Sequence, residues 1–186
     1  MRKVDYVELV KLAQKAKGKI DKIYLHWTAG RYSQTFDDYH INISGTGTIF
    51  VSTNDFTQVL AHTWRRNTGV IGIALCCAYD AEPDSLGLPT GDFPPTDEQV
   101  EVMSKVVAVL AENLGLEISI ETVLTHAEAA DNLDGVYVGE AYGPRTTFER
   151  WDLWRLKDFD GIVKDGGEVL RGKAIWYQEQ GDIYEG

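Results

Sequence analysis

The chain has 186 residues, of which 44% are hydrophobic, and its formal net charge at pH 7 is -11. This length fits one domain, and the apolar content is sufficient for a core. The acidic balance, with lysine and arginine scattered along the chain, argues against nucleic acid and against anionic membrane surfaces as partners, because both attract basic surfaces.

The N-terminal segment predicts an amphipathic helix. Residues 4–16 carry apolar side chains at near-helical spacing, and Lys-Gly-Lys follows them. The segment lacks the uninterrupted apolar run of about 7 to 15 residues that a signal peptide contains. We therefore expect a protein that is synthesised in the cytoplasm without a signal peptide.

Strand patterns follow in the first half of the chain. Residues 21–27 alternate and end in a Thr-Ala-Gly turn, which predicts a first strand. Residues 37–52 alternate on both sides of SGTGT, which predicts a hairpin with a glycine turn. Residues 69–79 form a near-continuous apolar run, typical of a central strand covered on both faces. We expect the adjacent Cys76 and Cys77 in that run to be two buried thiols, since alternation points them to opposite faces.

The second half predicts a helix, a strand and another helix. Thr96 and Gln99 have the spacing of a capping box and begin an apolar stripe of helical period. Residues 121–130 predict a short strand that ends at a histidine. Residues 137–159 predict a long loop that leads into an aromatic-rich helix.

The predicted order of elements indicates an α/β fold. Helix, strand, hairpin, strand, helix, strand and helix suit a single domain with a central mixed β-sheet flanked by helices. We place this domain at residues 1–164. Residues 165–186 are polar and have no decisive period, so their structure stays open.

Two histidines stand at the ends of predicted strands. His26 and His126 each occur where a strand runs into a turn of small residues, and such strand ends are where clefts open in α/β sheets. Two histidines and a carboxylate form the ligand set of a catalytic zinc, whose fourth position holds water. The candidate carboxylates are Glu128, Asp131, Asp134 and Asp152. Residue types alone do not choose among them.

The sequence His-Ala-Glu at 126–128 also begins like the zinc deaminase signature. That signature requires a downstream Pro-Cys-x-x-Cys motif. Both cysteines of the chain, Cys76 and Cys77, precede residue 126. The sequence therefore argues against the deaminase interpretation.

Five segments, taken in order, resemble the zinc-dependent N-acetylmuramoyl-L-alanine amidases (amidase type 2), whose fold is shared with peptidoglycan recognition proteins (PGRPs) and phage endolysins. These segments are IYLHWTAG at 23–30, YHINISGTGTIF at 39–50, LAHTWRRNTGVIGIAL at 60–75, LTHAEAA at 124–130 and RWD at 150–152. The likeness covers roughly residues 20–160. As an ordered set it is specific, although each segment alone is weak.

The resemblance implies roles for individual residues. It implies that His26, His126 and Asp152 are the zinc ligands. It implies that Tyr39 and Arg150 stabilise the oxyanion that forms when a zinc-activated water attacks the amide between N-acetylmuramic acid and L-alanine. The family commonly has lysine at the position of Arg150.

The segment between the second histidine and RWD is longer than in compact family members. Arg145 therefore remains an alternative to Arg150, and Asp131 or Asp134 an alternative to Asp152. Alternation supports Tyr39 by placing it on one face with Ile41 and Ile43, with His40 pointing to the other face as a structural residue. The residues implied to line or border the substrate groove are His62, Trp27, Trp64 and Asn67.

The resemblance implies a monomeric zinc enzyme that acts on peptidoglycan or muropeptides of the bacterial cell wall. A phage or prophage endolysin released through a separate pore is the first setting, and recycling of wall fragments in the cytosol is the second. The alternative is a non-catalytic peptidoglycan recognition module of the same fold. Such modules typically lack a zinc ligand or the tyrosine, and this chain has all of them.

Overall fold

The computed structural model describes residues 1–138 and 150–181. The strands are β1 (Arg2–Lys3), β2 (Lys22–Trp27), β3 (Ile41–Ile43), β4 (Ile49–Val51), β5 (Val70–Leu75), β6 (Val123–Thr125), β7 (Arg155–Lys157) and β8 (Val163–Asp165). The helices are α1 (Tyr6–Ala16), α2 (Asp97–Leu114), α3 (His126–Ala130) and α4 (Gly166–Gln180).

A six-stranded mixed sheet with the order β1-β4-β3-β5-β2-β6 forms the centre of the fold. β2 lies between β5 and β6 and runs parallel to both, and β3 runs parallel to β5. β4 is antiparallel to β3 and β1, and β7 and β8 form a separate antiparallel pair. The predicted α/β class, with a central mixed sheet flanked by helices, is confirmed.

The two faces of β2 have different surroundings. Ile23, Leu25 and Trp27 belong to the main apolar core, together with the buried side chains of α1, α2 and α4. Tyr24 and His26 alternate with them and therefore point to the opposite face. Their partners on β5 in register are Gly72 and Ala74. These small residues leave room on that face for the side chains of the candidate site.

Capping residues set the bounds of the long helix. Thr96 is the N-cap of α2 and forms the predicted capping box with Gln99, while Gly115 ends the helix in the left-handed conformation at φ 77°. The buried side of α2 packs against α1 and α4. None of the helices in the described ranges combines the length and the apolar character that crossing a bilayer requires.

The prediction of an aromatic-rich helix in residues 150–159 is wrong. Residues 151–154 form a turn that leads into β7. Trp151 packs edge-on against Trp27, with ring centroids 4.5 Å apart, and Leu153 has a φ of 57°, which an α-helix cannot contain. A tertiary contact between aromatic rings therefore prevails over local helical spacing. Residues 139–149 of the predicted loop lie outside the described residues.

The C-terminal segment, which the sequence left open, contains α4. This helix packs against α2 and β6, and residues 182–186 lie outside the described ranges. Cys76 and Cys77 are buried free thiols, as expected. Burial raises the pKa of the Cys76 thiol to about 12.

Candidate metal centre

Three potential ligand atoms converge at one edge of the sheet. Leu25 pairs with Thr125 in the parallel register of β2 and β6, so His26 and His126, the next residues, lie side by side. The turn before β7 adds Asp152. Nδ1 of His26 lies 3.2 Å from Nδ1 of His126, and Oδ2 of Asp152 lies 3.5 Å from the first nitrogen and 3.3 Å from the second.

These separations suit a tetrahedral metal ion. Bonds of roughly 2.0–2.1 Å to a tetrahedral zinc place neighbouring ligand atoms about 3.3–3.4 Å apart. The distances between His26, His126 and Asp152 span 3.2 to 3.5 Å. Two imidazoles and a carboxylate are also a ligand set that zinc accepts, with a fourth position left for water. The residues present therefore fit a catalytic zinc.

The electrostatics of the cluster also favour a cation. Burial, which Asp152 partly opposes and the neighbouring His126 reinforces, lowers the pKa of His26 to about 4. Burial raises the pKa of Asp152, but the two imidazoles outweigh that effect and bring it below its ordinary value. At neutral pH, His26 is therefore neutral and Asp152 is ionised, which are the protonation states of metal ligands.

Packing fixes the turn that carries Asp152. The backbone N–H of Ala127 donates to the carbonyl of Asp152 over 3.4 Å. Trp151 is buried against Trp27. A Cβ added to Gly166 would lie 1.9 Å from the carbonyl oxygen of Leu153. The first residue of α4 thus approaches the turn so closely that only glycine fits.

The competing carboxylates have other positions. Glu128 accepts two hydrogen bonds from Arg171, at 2.8 and 2.9 Å. Asp134 accepts from Arg66 Nε at 2.7 Å and from the Tyr24 hydroxyl at 2.6 Å. The third, Asp131, is the C-cap residue of α3. Among the residues that the structure describes, the metal-type cluster at this site consists of His26, His126 and Asp152.

Tyr39 lies beside the cluster. Its ring centroid is 5.2 Å from that of His26, and its hydroxyl donates to the carbonyl of Trp27 over 3.3 Å. Burial and nearby carboxylates raise its pKa, so the hydroxyl keeps its proton. The alternation argument for this residue is wrong: Ile41 and Ile43 belong to the main core, whereas Tyr39 precedes β3 and contacts His26 on the other face.

The residues predicted to border the groove occupy different places. Trp27 is buried against Trp151, and His62 is buried behind His26, with its Nδ1 3.2 Å from Nε2 of His26. Trp64 is 40% exposed. The carboxamide of Asn67 accepts hydrogen bonds from the backbone N–H groups of residues 62 and 63, so its observed contact is within the loop.

Arg150 and Arg145 are the two candidate basic residues of the site. Arg150 is half-buried and stands two residues before Asp152. Arg145 falls outside the described residues. His40, which the sequence predicted as structural, is buried, and its Nε2 donates to the carbonyl of Gln58 over 2.8 Å.

Sequence reasoning missed several residues around the site. Thr63 places its hydroxyl 3.2 Å from Nε2 of His26, and Arg66 forms the buried ion pair with Asp134. Their position within the segment that resembles the amidase family was the available signal.

A cavity of about 300 Å³ also opens beside the cluster. Its lining residues are Trp27, Ala29, Ala78, Asp80, Ala81, Trp151 and Asp152.

Comparisons with known proteins add a family match. A family model described as N-acetylmuramoyl-L-alanine amidase matches residues 16–136. The Drosophila Peptidoglycan Recognition Protein (PGRP)-SA is a similar solved structure, with 15% identity over 57% of this chain and 67% of that chain, and a TM-score of 0.40. No curated protein matches the chain. The family match includes His26, His62 and His126 and ends before Asp152.

Proposed function

Because the chain belongs to the N-acetylmuramoyl-L-alanine amidase family, we propose that it is a zinc-dependent hydrolase that cleaves the amide bond between N-acetylmuramic acid and L-alanine in peptidoglycan. The observation that carries this proposal is the convergence of Nδ1 of His26, Nδ1 of His126 and Oδ2 of Asp152. Their donor types and separations fit one zinc ion.

The proposed chemistry divides between the metal and the side chains around it. His26, His126 and Asp152 would hold the zinc ion, which would supply a nucleophilic water at neutral pH and polarise a carbonyl group. Tyr39, whose hydroxyl stays protonated, donates a hydrogen bond to the oxyanion as charge develops. Arg150 stabilises the same negative charge as a permanently protonated cation and does not donate its proton.

The cluster can be reached from the surface of the protein. The side chains of His126 and Asp152 are 14% and 11% exposed, and the cavity beside them is bordered by Trp151 and Asp80. We propose peptidoglycan or a muropeptide as the substrate. We further propose an endolysin role, in which the protein is made in the cytoplasm and reaches the cell wall through a separate pore.

Product analysis tests the activity. The zinc-loaded protein, incubated with purified sacculi, is expected to release new amino termini of L-alanine without new reducing ends, and His126→Ala serves as the inactive control. New reducing ends would identify a glycosidase and overturn the proposal. Binding to sacculi without any cleavage would instead favour the recognition module.

A comparison of intact sacculi with soluble muropeptides as substrates separates the endolysin role from the recycling of wall fragments. An endolysin should cut intact sacculi at least as readily as soluble muropeptides, because its natural substrate is the assembled wall. Activity confined to soluble fragments would contradict the endolysin role and favour recycling of wall fragments.

A further inference from the structure

The second ring nitrogen of His26 lies in a buried triangle of polar atoms. Nε2 of His26 is 3.2 Å from Nδ1 of His62 and 3.2 Å from Oγ1 of Thr63, and these two atoms are 2.9 Å apart. His26 is fully buried, and His62 and Thr63 are 8% and 3% exposed. The triangle is on the side of the His26 ring away from the metal-type cluster.

The positions of the protons follow from the chemistry of the ring. A neutral imidazole that presents the lone pair of Nδ1 to a metal carries its proton on Nε2, which must then donate. Among the described residues, the Thr63 hydroxyl has the two imidazole nitrogens as partners. All three atoms of the triangle are hydrogen-bonded if His26 Nε2–H donates to Thr63 Oγ1 and the Thr63 hydroxyl donates to His62 Nδ1.

This arrangement leaves one polar atom without a partner. His62 then carries its proton on Nε2, and within the described residues that buried nitrogen has no hydrogen-bond partner. The ring lies directly over Gly72, where an added Cβ would be 2.6 Å from Cδ2 of His62. An unpaired buried group destabilises the fold. Its presence here indicates that the position of His62 serves another purpose.

The loop that carries the triangle is itself fixed at several points. Oδ1 of Asn67 accepts from the backbone N–H groups of His62 and Thr63, at 3.2 and 2.8 Å. Arg66 forms a buried ion pair with Asp134, with Nε and Oδ2 2.7 Å apart. The loop therefore holds both side chains in a defined place against His26.

We propose that Thr63 and His62 are positioning residues: Thr63 accepts the hydrogen bond from Nε2–H of His26, His62 accepts the one from the Thr63 hydroxyl, and together they fix the ring with Nδ1 toward the metal. The relay runs from His26 through the Thr63 hydroxyl to His62. This inference rests on the metal site of the proposed function, but it does not depend on which bond the enzyme cleaves.

Zinc affinity measured by competition with a chelator tests the relay. Either partner can accept the hydrogen bond from Nε2–H of His26 when the other is missing, because both lie 3.2 Å from Nε2. The single variants Thr63→Val and His62→Leu should therefore lose little affinity. The double variant should bind zinc about 10- to 100-fold more weakly, the usual effect of removing an outer partner of a metal ligand.

Two controls separate positioning from general damage. Restoring the hydroxyl in Thr63→Ser/His62→Leu should recover most of the affinity. Ser104→Ala removes another buried hydroxyl, which donates to the Val100 carbonyl in α2, and should leave zinc binding unchanged. A folded double variant that binds zinc like the wild type would overturn the proposal.

A measurement on the unmodified protein covers the case in which the double variant does not fold. Long-range proton–nitrogen NMR of the zinc-loaded wild type should find His62 as the Nε2–H tautomer. The Nδ1–H tautomer would contradict the direction of the relay. Zinc binding with the expected tautomer but without amide cleavage would support this inference and contradict the proposed function.

Discussion

Arg171 of α4 holds Glu128 with two hydrogen bonds, from Nη1 to Oε2 at 2.8 Å and from Nη2 to Oε1 at 2.9 Å. The same carboxylate accepts from the backbone N–H of Thr125 at 3.0 Å. Glu128 is only two residues from His126, yet its oxygens are occupied by the C-terminal helix. α4 therefore secures the first turn of α3, which carries His126.

The first prediction concerns the third metal ligand. Asp152→Ala should be purified without zinc, because loss of one of three ligands costs more affinity than the about 10- to 100-fold typical of an outer group. Glu128→Gln and Asp131→Ala should retain zinc, since neither residue belongs to the cluster. Elemental analysis of protein never exposed to chelator measures this. Stoichiometric zinc in Asp152→Ala, with loss in Glu128→Gln, would assign the ligand to Glu128.

The second prediction compares two glycines of α4. A Cβ at Gly167 would lie 2.2 Å from Oε1 of Glu128, which Arg171 holds in place. Gly167→Ala should therefore lower the free energy of unfolding by about 1–3 kcal/mol, as overpacking does. Within the part of the chain that the structure describes, no such neighbour lies within 4 Å of a Cβ at Gly172, so Gly172→Ala should raise the free energy of unfolding by about 0.5–1 kcal/mol.

Urea denaturation of both glycine variants provides the comparison. Equal effects of the two substitutions would show that the approach of α4 to Glu128 does not constrain the fold.

The third prediction concerns the Tyr39 hydroxyl. Tyr39→Phe should keep the fold and the zinc but lower kcat by about 10²- to 10³-fold, the usual effect of removing a donor aimed at developing charge. Its ring contact with His26 is retained in phenylalanine, so zinc content serves as the control. Turnover equal to that of the wild type would leave Tyr39 with a packing role.

The fourth prediction is a pH dependence of stability that involves His40. Burial lowers the pKa of this imidazole, against smaller opposite effects of Gln58 and Asp55. Its Nδ1 accepts from the backbone N–H of Gly72 at 3.0 Å, so protonation would break that bond. The unfolded chain takes up the proton first as pH falls. The contribution of neutral His40 to the free energy of unfolding is fully present above 6.5, the pKa of this imidazole in the unfolded chain. It is lost as pH falls below 6.5 toward the lower pKa of His40 in the folded protein.

Urea denaturation of the metal-free protein between about pH 8 and about pH 5 measures this loss. His40→Asn keeps an acceptor for Gly72 but cannot titrate, so its stability should fall less steeply over that range. A slope equal to that of the wild type would exclude His40 as a contributor.

The amino-acid sequence was sufficient for the fold class and for placing each of the two histidines at the end of a strand. Alternation ended at His26, and the segment before His126 predicted a short strand. The structure places the corresponding strands, β2 and β6, side by side and parallel. The capping box at Thr96 and Gln99 was also readable, because a helix N-terminus is encoded by residues three positions apart. These features depend on local periodicity, which a sequence contains directly.

The different surroundings of the candidate carboxylates are visible only in the tertiary structure. Glu128 and Asp134 differ from Asp152 in their partners: Arg171 and Arg66 each neutralise one of them from a distant part of the chain. Such ion pairs leave no pattern in the local sequence, because the partner of a carboxylate comes from a distant part of the chain.

Long-range packing also decided the structure around residues 150–159 and the place of His62. Helical spacing of the aromatic residues suggested a helix, but the contact of Trp151 with Trp27 favours a turn. His62 lies behind His26 because Gly72 has no side chain to exclude it. Sequence spacing determines which face of its own element a side chain occupies, whereas burial and partners depend on elements that meet only in the folded chain.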